Sequence, residues 1–560
     1  MFGRTPNSSI HASIAPLLAI GFAFTISLHA GCSLWPGDRN DVENEERMKQ
    51  LLRVPDSPDL VRDAAVPRGL NPISVEGVGV VNALPHTGGP ADPSALRDQL
   101  LEEMKHNDIS NPNEILELED TAMVRVRSIV PPGARRGDPL ELQVLTPKRS
   151  RVSDLHGGWL LDTRMRHMQV MNQSVRKSDV MSMGTGAVIT RADHEASRDE
   201  ALRTQGIILG GGRVQSDRKL GLILRPDYKH VKMASQIAEA INHRFYFFDG
   251  TTRRGIAKAI EDDFIEIEVH PRYRDNVFRL MSVILALGGK STAQTHQRLA
   301  DLADRLADPE TAADAALQLE GIGDEAVPTL TSGINSSNPE LRFYAAEALA
   351  YLDRPEPIAA LEQAAREVPA FRHSALKAIE GIPKSAAVDA LERLLAEPSL
   401  ETRYGAFVAT RKRNDGRRRL NGQRLGDVMQ LYRIPSSASP AVVISIREQP
   451  EVVLFGDLGP IQITQFLLGQ SGLILKPEPG AQDKIRVSRF RPQQDDRRVV
   501  VDNTVEGVVK GIVAVGGGYG DVIQVLRTAK EKNFLADQLA IDPLPKPLRT
   551  YYRESEDDES

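Results

Sequence analysis

The chain has 560 residues, 70 of them basic and 76 acidic, with 41% hydrophobic and only 5% aromatic content. A length beyond the roughly 250–300 residues that one core supports implies several domains, and a formal charge of −6 excludes a global nucleic-acid-binding signature, so that any basic site has to be local. The lone cysteine, Cys32, excludes an intrachain disulfide.

The first feature in chain order is an apolar run of fifteen residues, 14–28, behind Arg4. It is short of the about 20 residues that cross a bilayer and fits the h-region of a signal peptide. Leu28-His29-Ala30-Gly31-Cys32 is similar to a bacterial lipobox, with His29 where that pattern carries leucine. Three outcomes stay open: lipidation at Cys32, ordinary cleavage beside an incidental cysteine, or an uncleaved anchor. All three export the chain. The polar residues 33–54 have no apolar period and fit a tether.

Residues 73–81 alternate as a strand and run toward Gly88-Gly89, while Leu96, Leu100 and Leu101 mark a helix over 95–104. Residues 123–129 and 140–144 predict two more strands, joined by Pro131-Pro132-Gly133, with Met123, Val124, Val126 and Ile129 expected on the buried face. Gly210-Gly211-Gly212 is expected to be a turn, 220–224 a strand and 231–245 a helix. Ile265, Ile267 and Val269 alternate with Glu266, Glu268 and His270, which places these carboxylates on a solvated strand face rather than around a metal. No Lys-Ser/Thr follows the glycine-rich stretches, and neither H-E-x-x-H nor G-x-S-x-G occurs, so the expectation is no enzyme, no metal and no cofactor.

Several of these segments, in this order, resemble the bacterial flagellar P-ring protein family. The resemblance is carried by Ile129–Arg135, Gly137-Asp138, Leu155–Asp162, Asp227, Ile237-Ala238, Ala240-Ile241-Asn242, Phe245, Ile265-Glu266-Ile267, Pro271, Tyr273 and Asn276. Further on, residues 441–444 and 452–457 resemble two strands of the family, and Asp521–Leu526 with Leu535–Leu539 resemble its closing helix–turn–helix.

Between about 292 and 414 the composition turns to alanine, leucine and charged residues with an internal period. Ala315, Ala345, Ala375 and Ala406 are spaced by 30, 30 and 31; Leu319, Leu349 and Ile379 keep register, as do Arg342, Arg372 and Arg403. Such a period marks a helical solenoid, here similar to HEAT repeats. The basic run 411–419 reads as a solvated linker, β texture returns after it, and the acidic tail 554–560 closes the chain.

The expected fold is α+β multidomain, a β-rich P-ring-like body interrupted by an α-solenoid. Its parts are a lipoprotein-like signal peptide (1–31), a tether (32–57), the first part of the body (58–290), HEAT-like repeats (291–415), the second β part (416–500), a closing helix–turn–helix (501–545) and the tail (546–560). The resemblance implies a structural subunit that assembles with copies of itself into a ring around the flagellar rod in the periplasm, beside peptidoglycan and the L ring, with an outer-membrane anchor if Cys32 is acylated and no nucleic-acid partner. The alternative is an envelope lipoprotein scaffold that uses the repeats to bind protein. Arg125, Arg127, Arg135, Arg136, Lys148, Arg149 and Arg151 form a local basic excess. Some of them are expected to face an acidic partner or a neighbouring subunit; the bland alternative is a solvated strand face.

Overall fold

The computed structural model describes residues 53–106, 108–171, 174–195, 199–289, 295–491, 495–547 and 551. The chain divides into two compact units, Met1–Val54 and Pro55–Ser560. The signal segment, Cys32, nearly all of the tether and the acidic tail lie outside the described residues. The following concerns Pro55–Ser560.

After β1 (Ala65–Arg68) come β2 (Ile73–Asn82), β3 (Ala122–Val130), β4 (Pro139–Leu145), β5 (Trp159–Met171), β6 (Ser174–Ala187), β7 (Ile189–Thr190) and β8 (Gln205–Val214). The order β4-β3-β2-β5-β6-β8, with β4 also paired to β8, closes six antiparallel strands into a barrel. Closure leaves these strands no free edge. Val124, Val126 and Val130 of β3 meet Leu140, Leu142 and Val144 of β4 inside it.

The apolar residues of β3 do not share the single buried face expected of them. Successive side chains alternate between faces, so Met123, Arg125, Arg127 and Ile129 all point outward. Met123 is buried there under Leu100 and Met104 of helix α1 (Ala95–His106), whereas Ile129 is 60% exposed. The glycine triplet is likewise no turn between strands but part of β8. Gly210 has φ +57° and the β4 pairing shifts between Leu140 and Leu142, a bulge that glycine makes possible.

Next to the barrel, β9 (Leu220–Leu224) pairs with β1 and with β13 (Phe264–Ile267), β12 (Ala257–Ala259) completes this sheet, and β10 (Tyr246–Asp249) with β11 (Thr252–Gly255) forms a separate hairpin. Two helices pack on it, α2 (Val231–Arg244) through Met233, Ile237 and Ile241, and α3 (Val277–Ala286) through Leu280 and Ile284. Ile265 and Ile267 are buried, while Glu266 pairs with Lys219 and Glu268 with Arg254, each at 2.8 Å.

Four helix pairs follow: α4 (Thr295–Leu306) with α5 (Ala312–Ile322), α6 (Val327–Gly333) with α7 (Pro339–Tyr351), α8 (Ile358–Glu367) with α9 (Arg372–Gly381), and α10 (Ser385–Leu394) with α11 (Leu400–Lys412). Ala315, Ala345, Ala375 and Ala406 occupy equivalent, fully buried places on the second helix of each pair. The small side chain lets neighbouring helices approach, and stacking buries faces that no pair could bury alone. The in-register arginines all bond main-chain carbonyls, Arg342 back to Ser336 at 2.7 Å and Arg372 back to Ala365 at 2.9 Å, but Arg403 forward to Ser439 at 2.9 Å.

The basic run that ends the array is solvated only in its second half, where Arg417, Arg418 and Arg419 are exposed. Arg411 is buried against Glu448 (2.8 Å) and Glu451 (3.3 Å), and Arg413 donates to the carbonyls of Glu380 (2.7 Å) and Ile382 (2.5 Å), capping the end of α9. Beyond it, β14 (Gly422–Leu425), β15 (Met429–Ile434), β16 (Ala441–Ile444), β17 (Glu451–Phe455) and β22 (Gln538–Ile541) form a mixed sheet, and β18 (Leu467–Leu468), β19 (Leu473–Glu478), β20 (Ala481–Arg489) and β21 (Arg497–Asp502) an antiparallel one. Helices α12 (Val505–Ala514) and α13 (Tyr519–Glu531) share a core with these sheets.

Ala345→Leu should expose the close packing of the repeats, because a side chain added at Gly333 of the preceding helix would already lie 2.7 Å from the Ala345 methyl. A loss of about 1–3 kcal/mol in urea unfolding is expected from overpacking; an unchanged midpoint would contradict the close helix contact.

Candidate assembly surfaces

The seven basic residues do not form one patch. The β3–β4 hairpin carries residues 131–138 at one end of the barrel, whereas residues 146–158 leave β4 at the other. Arg125 and Arg127 lie half-buried on the outer wall between these ends, Arg127 in an ion pair with Glu76 at 2.8 Å. Arg135 is committed internally, its guanidinium donating to the Val269 carbonyl at 2.7 Å. Arg136 is exposed beside it, and among the described residues only its main-chain N–H is bound, by Asp217 at 2.8 Å. Lys148, Arg149 and Arg151 occupy the opposite end, with Arg151 at 3.9 Å from Asp92 and Arg149 exposed at a φ of +67°. The outer wall also bears a groove of about 620 Å³ lined by Ile129, Pro131, Pro139, Arg127, Glu76 and Glu141.

What holds these surfaces in place is a set of buried charges outside the basic stretch. His156, in the turn before β5, lies between Asp193 and Asp521: Nδ1 is 3.0 Å from Asp193 Oδ1 and Nε2 is 3.0 Å from Asp521 Oδ1. All three side chains are buried. Asp193 also accepts the Thr190 N–H, and Asp521 accepts the Gly518 N–H at the start of α13, with Arg489 at 3.5 Å. Burial alone would lower the basicity of His156; the two carboxylates reverse this and hold its pKa at about 10, so the ring carries both protons at neutral pH. Burial likewise pushes Asp521 upward, and His156 and Arg489 together bring it below the usual carboxylate range. Arg527 adds donations to the carbonyls of Ala192 (2.9 Å), Asp193 (3.1 Å) and Glu195 (2.5 Å). Residues 365 positions apart are thereby joined.

A second cluster fastens the repeats. Arg279 of α3 is buried between Glu320 of α5, at 2.5 Å, and Glu347 of α7. Tyr273 donates its hydroxyl proton to Glu320 at 2.6 Å, and Tyr351 stacks on Tyr273 with ring centroids 4.9 Å apart. Burial pushes Glu347 upward, and it pushes Tyr351 to about 12. Neither cluster was visible beforehand. His156 and Asp521 both fell inside family-like segments, but a histidine before Gly-Gly and an aspartate opening a helix look like ordinary turn and cap residues. Among the described residues no group of three or more His, Cys, Asp or Glu side chains could hold a metal ion.

Residues 61–297 match the flagellar P-ring protein family. Residues 296–378 match HEAT repeats. The chain is 24% identical over 233 residues to the flagellar P-ring protein of Thermotoga maritima and 26% identical over 234 residues to that of Pseudothermotoga lettingae; each alignment takes in 40% of this chain and 65% of the relative. The flagellar P-ring protein of Thermotoga petrophila gives 24% over 228 residues, with the same coverage. The chain thus spans 65% of the length of the curated relatives it matches. The P-ring match takes in the barrel, the sheet beside it and α3, and it ends where the repeats begin.

The His156 cluster has a definite pH signature. A pKa raised from 6.5 to about 10 in the folded state contributes stability that is complete below pH 6.5 and is lost as pH rises through about 10. Urea midpoints should therefore fall between those values in the wild type and far less in His156→Gln. His156→Ala or Arg279→Ala should each cost about 3–5 kcal/mol, because the first leaves Asp193 buried without a cation and Asp521 with Arg489 alone, and the second removes the cation between Glu320 and Glu347; a loss below about 1 kcal/mol, the range of exposed pairs, would contradict these assignments.

Proposed function

We propose that the chain is a structural subunit of the flagellar basal-body P ring, assembling with copies of itself around the rod in the periplasm as a bushing. The observation that carries this reading is the match of residues 61–297, which coincides with a closed barrel and its neighbouring sheet. No chemistry is required of such a part; it needs a stiff body with repeated complementary surfaces. The buried clusters at His156 and Arg279 supply stiffness by tying the barrel to residues 489–531 and α3 to the repeats.

We also infer that the P-ring-like body resumes after the repeats, over residues 416–545. Support comes from the return of that segment to the barrel: Asp521 meets His156, and the Glu448 N–H donates to Glu141 at 3.1 Å. Partners in this reading are further copies of the chain, the rod, the L ring and peptidoglycan, with lipidation at Cys32 as an added outer-membrane anchor. The repeats favour a second reading, an envelope scaffold without flagellar duty, since HEAT-like arrays commonly present binding surfaces.

Deleting the coding region and imaging isolated basal bodies separates the two. Loss of the periplasmic ring, with swimming impaired, is expected; complete rings and normal swimming would overturn the P-ring reading. Fatty-acid labelling of the mature chain should vanish in Cys32→Ala, and an unlabelled wild type would refute the anchor.

A further inference from the structure

We propose that copies of the chain associate head to tail, the lobe at residues 83–121 of one copy seating on the basic rim of the next copy's barrel. This rests on the ring reading and specifies its contact. The lobe, inserted between β2 and β3, contains nine acidic and two basic residues, a net −7 against −6 for the whole chain. Everything outside it therefore sums to +1.

The fold places this charge at one end of the barrel. The pairing of Val81 with Ala122 marks that end, and the lobe is anchored there by Leu100, Met104 and Leu116 against Val78, Val80 and Met123. Asp98, Asp108, Glu117 and Asp120 are exposed and have no ion-pair partner among the described residues. Part of the lobe is matched internally: Asp92 by Arg151, while Glu102 and Glu103 share a cleft with Arg164 and Arg166. Lys148 and Arg149 stand nearby without offsetting the rest.

At the opposite end, marked by the pairing of Ile73 with Val130, the turn 131–138, residues 214–219 and the far part of the β5–β6 hairpin adjoin. The Gly137 N–H bonds the Val214 carbonyl at 2.8 Å and the Gln215 N–H that of Met181 at 2.9 Å. Arg136, Arg176 and Lys177 are exposed here, with no ion-pair partner among the described residues. Of the other cations of the rim, Lys219 pairs with Glu266 and Arg274 with Asp138, while Arg135 and Arg218 donate to main-chain carbonyls and leave their charge unneutralised; the remaining acids are Asp179 and Asp217.

The lobe runs along the wall of its own barrel as far as Arg166, the partner of Glu76, and among the described residues no ion pair joins it to Arg136, Arg176 or Lys177. Opposite charge on two different surfaces is the condition for a heterologous contact, which propagates from copy to copy and closes when the rotation per step divides a full turn. Complementary potentials also steer encounter and make it salt-dependent.

The test uses the full mature chain in sedimentation velocity at low and high salt. One variant carries Asp98→Lys, Glu117→Lys and Asp120→Lys; the other carries Arg136→Glu, Arg176→Glu and Lys177→Glu. All six positions are exposed, and circular dichroism checks that folding is kept. Each variant alone should need about tenfold more protein to assemble, since complementary charge chiefly governs encounter and register. An equimolar mixture should recover wild-type assembly, because the reversed lobe of one then faces the reversed rim of the other. Wild-type oligomers that are indifferent to both variants, a mixture that does not recover, or growth that stops at two copies would overturn the head-to-tail contact and leave the ring reading standing. A wild-type chain that stays monomeric at every salt and concentration would overturn the ring reading itself.

Discussion

A protonated imidazole held between two buried carboxylates is costly to assemble unless every charge finds its partner, and the His156 cluster meets that condition with Asp193, Asp521 and Arg489. Its effect is topological. The chain leaves the barrel, builds a sheet and eight repeat helices, and returns; the His156–Asp521 bond ties the turn before β5 to the start of α13. Removing one member leaves a buried charge unmatched, which makes the closure specific as well as stabilising. The closed barrel and the α12–α13 pair keep a fixed relation through it, and a repeating subunit contact requires such a relation.

The repeats are attached by the same physics at both of their ends. Arg279 meets Glu320 and Glu347 at the first two repeats, and Arg411 meets Glu448 and Glu451 after the last. An insertion tethered only by its termini would be free to pivot, since domain motion is the default without a substantial interface. Here, desolvated charge pairs and a continuous apolar core that runs from Leu280 through Phe343 and Phe371 to Tyr432 oppose such motion. The array is an extension of the body.

Much of the fold was legible because local pattern and final structure agree. Alternation found β2, β3 and β4, and the 30-residue spacing of Ala315, Ala345 and Ala375 located the second helix of successive repeats. The failures have one cause: local sequence carries no record of what lies across the fold. Ile129 looked like core because periodicity alone does not distinguish an apolar outer wall from an inner one. Arg411 and Arg413 looked solvated because their carboxylate and carbonyl partners are 31 to 40 residues away. Gly210 looked like a turn because a bulge and a turn ask the same freedom of glycine. The basic excess at 125–151 was visible as a count, but its division between the two ends of a barrel required strand register.

If the chain is a ring subunit whose repeats are fixed to its body, every subunit of the ring should display them in one orientation. Averaged electron-microscopic images of purified basal bodies measure this directly. Ordered helical-repeat density attached to each subunit of the periplasmic ring is expected, whereas a ring lacking that density, or one in which it is smeared over many orientations, would show that the repeats are not held as described.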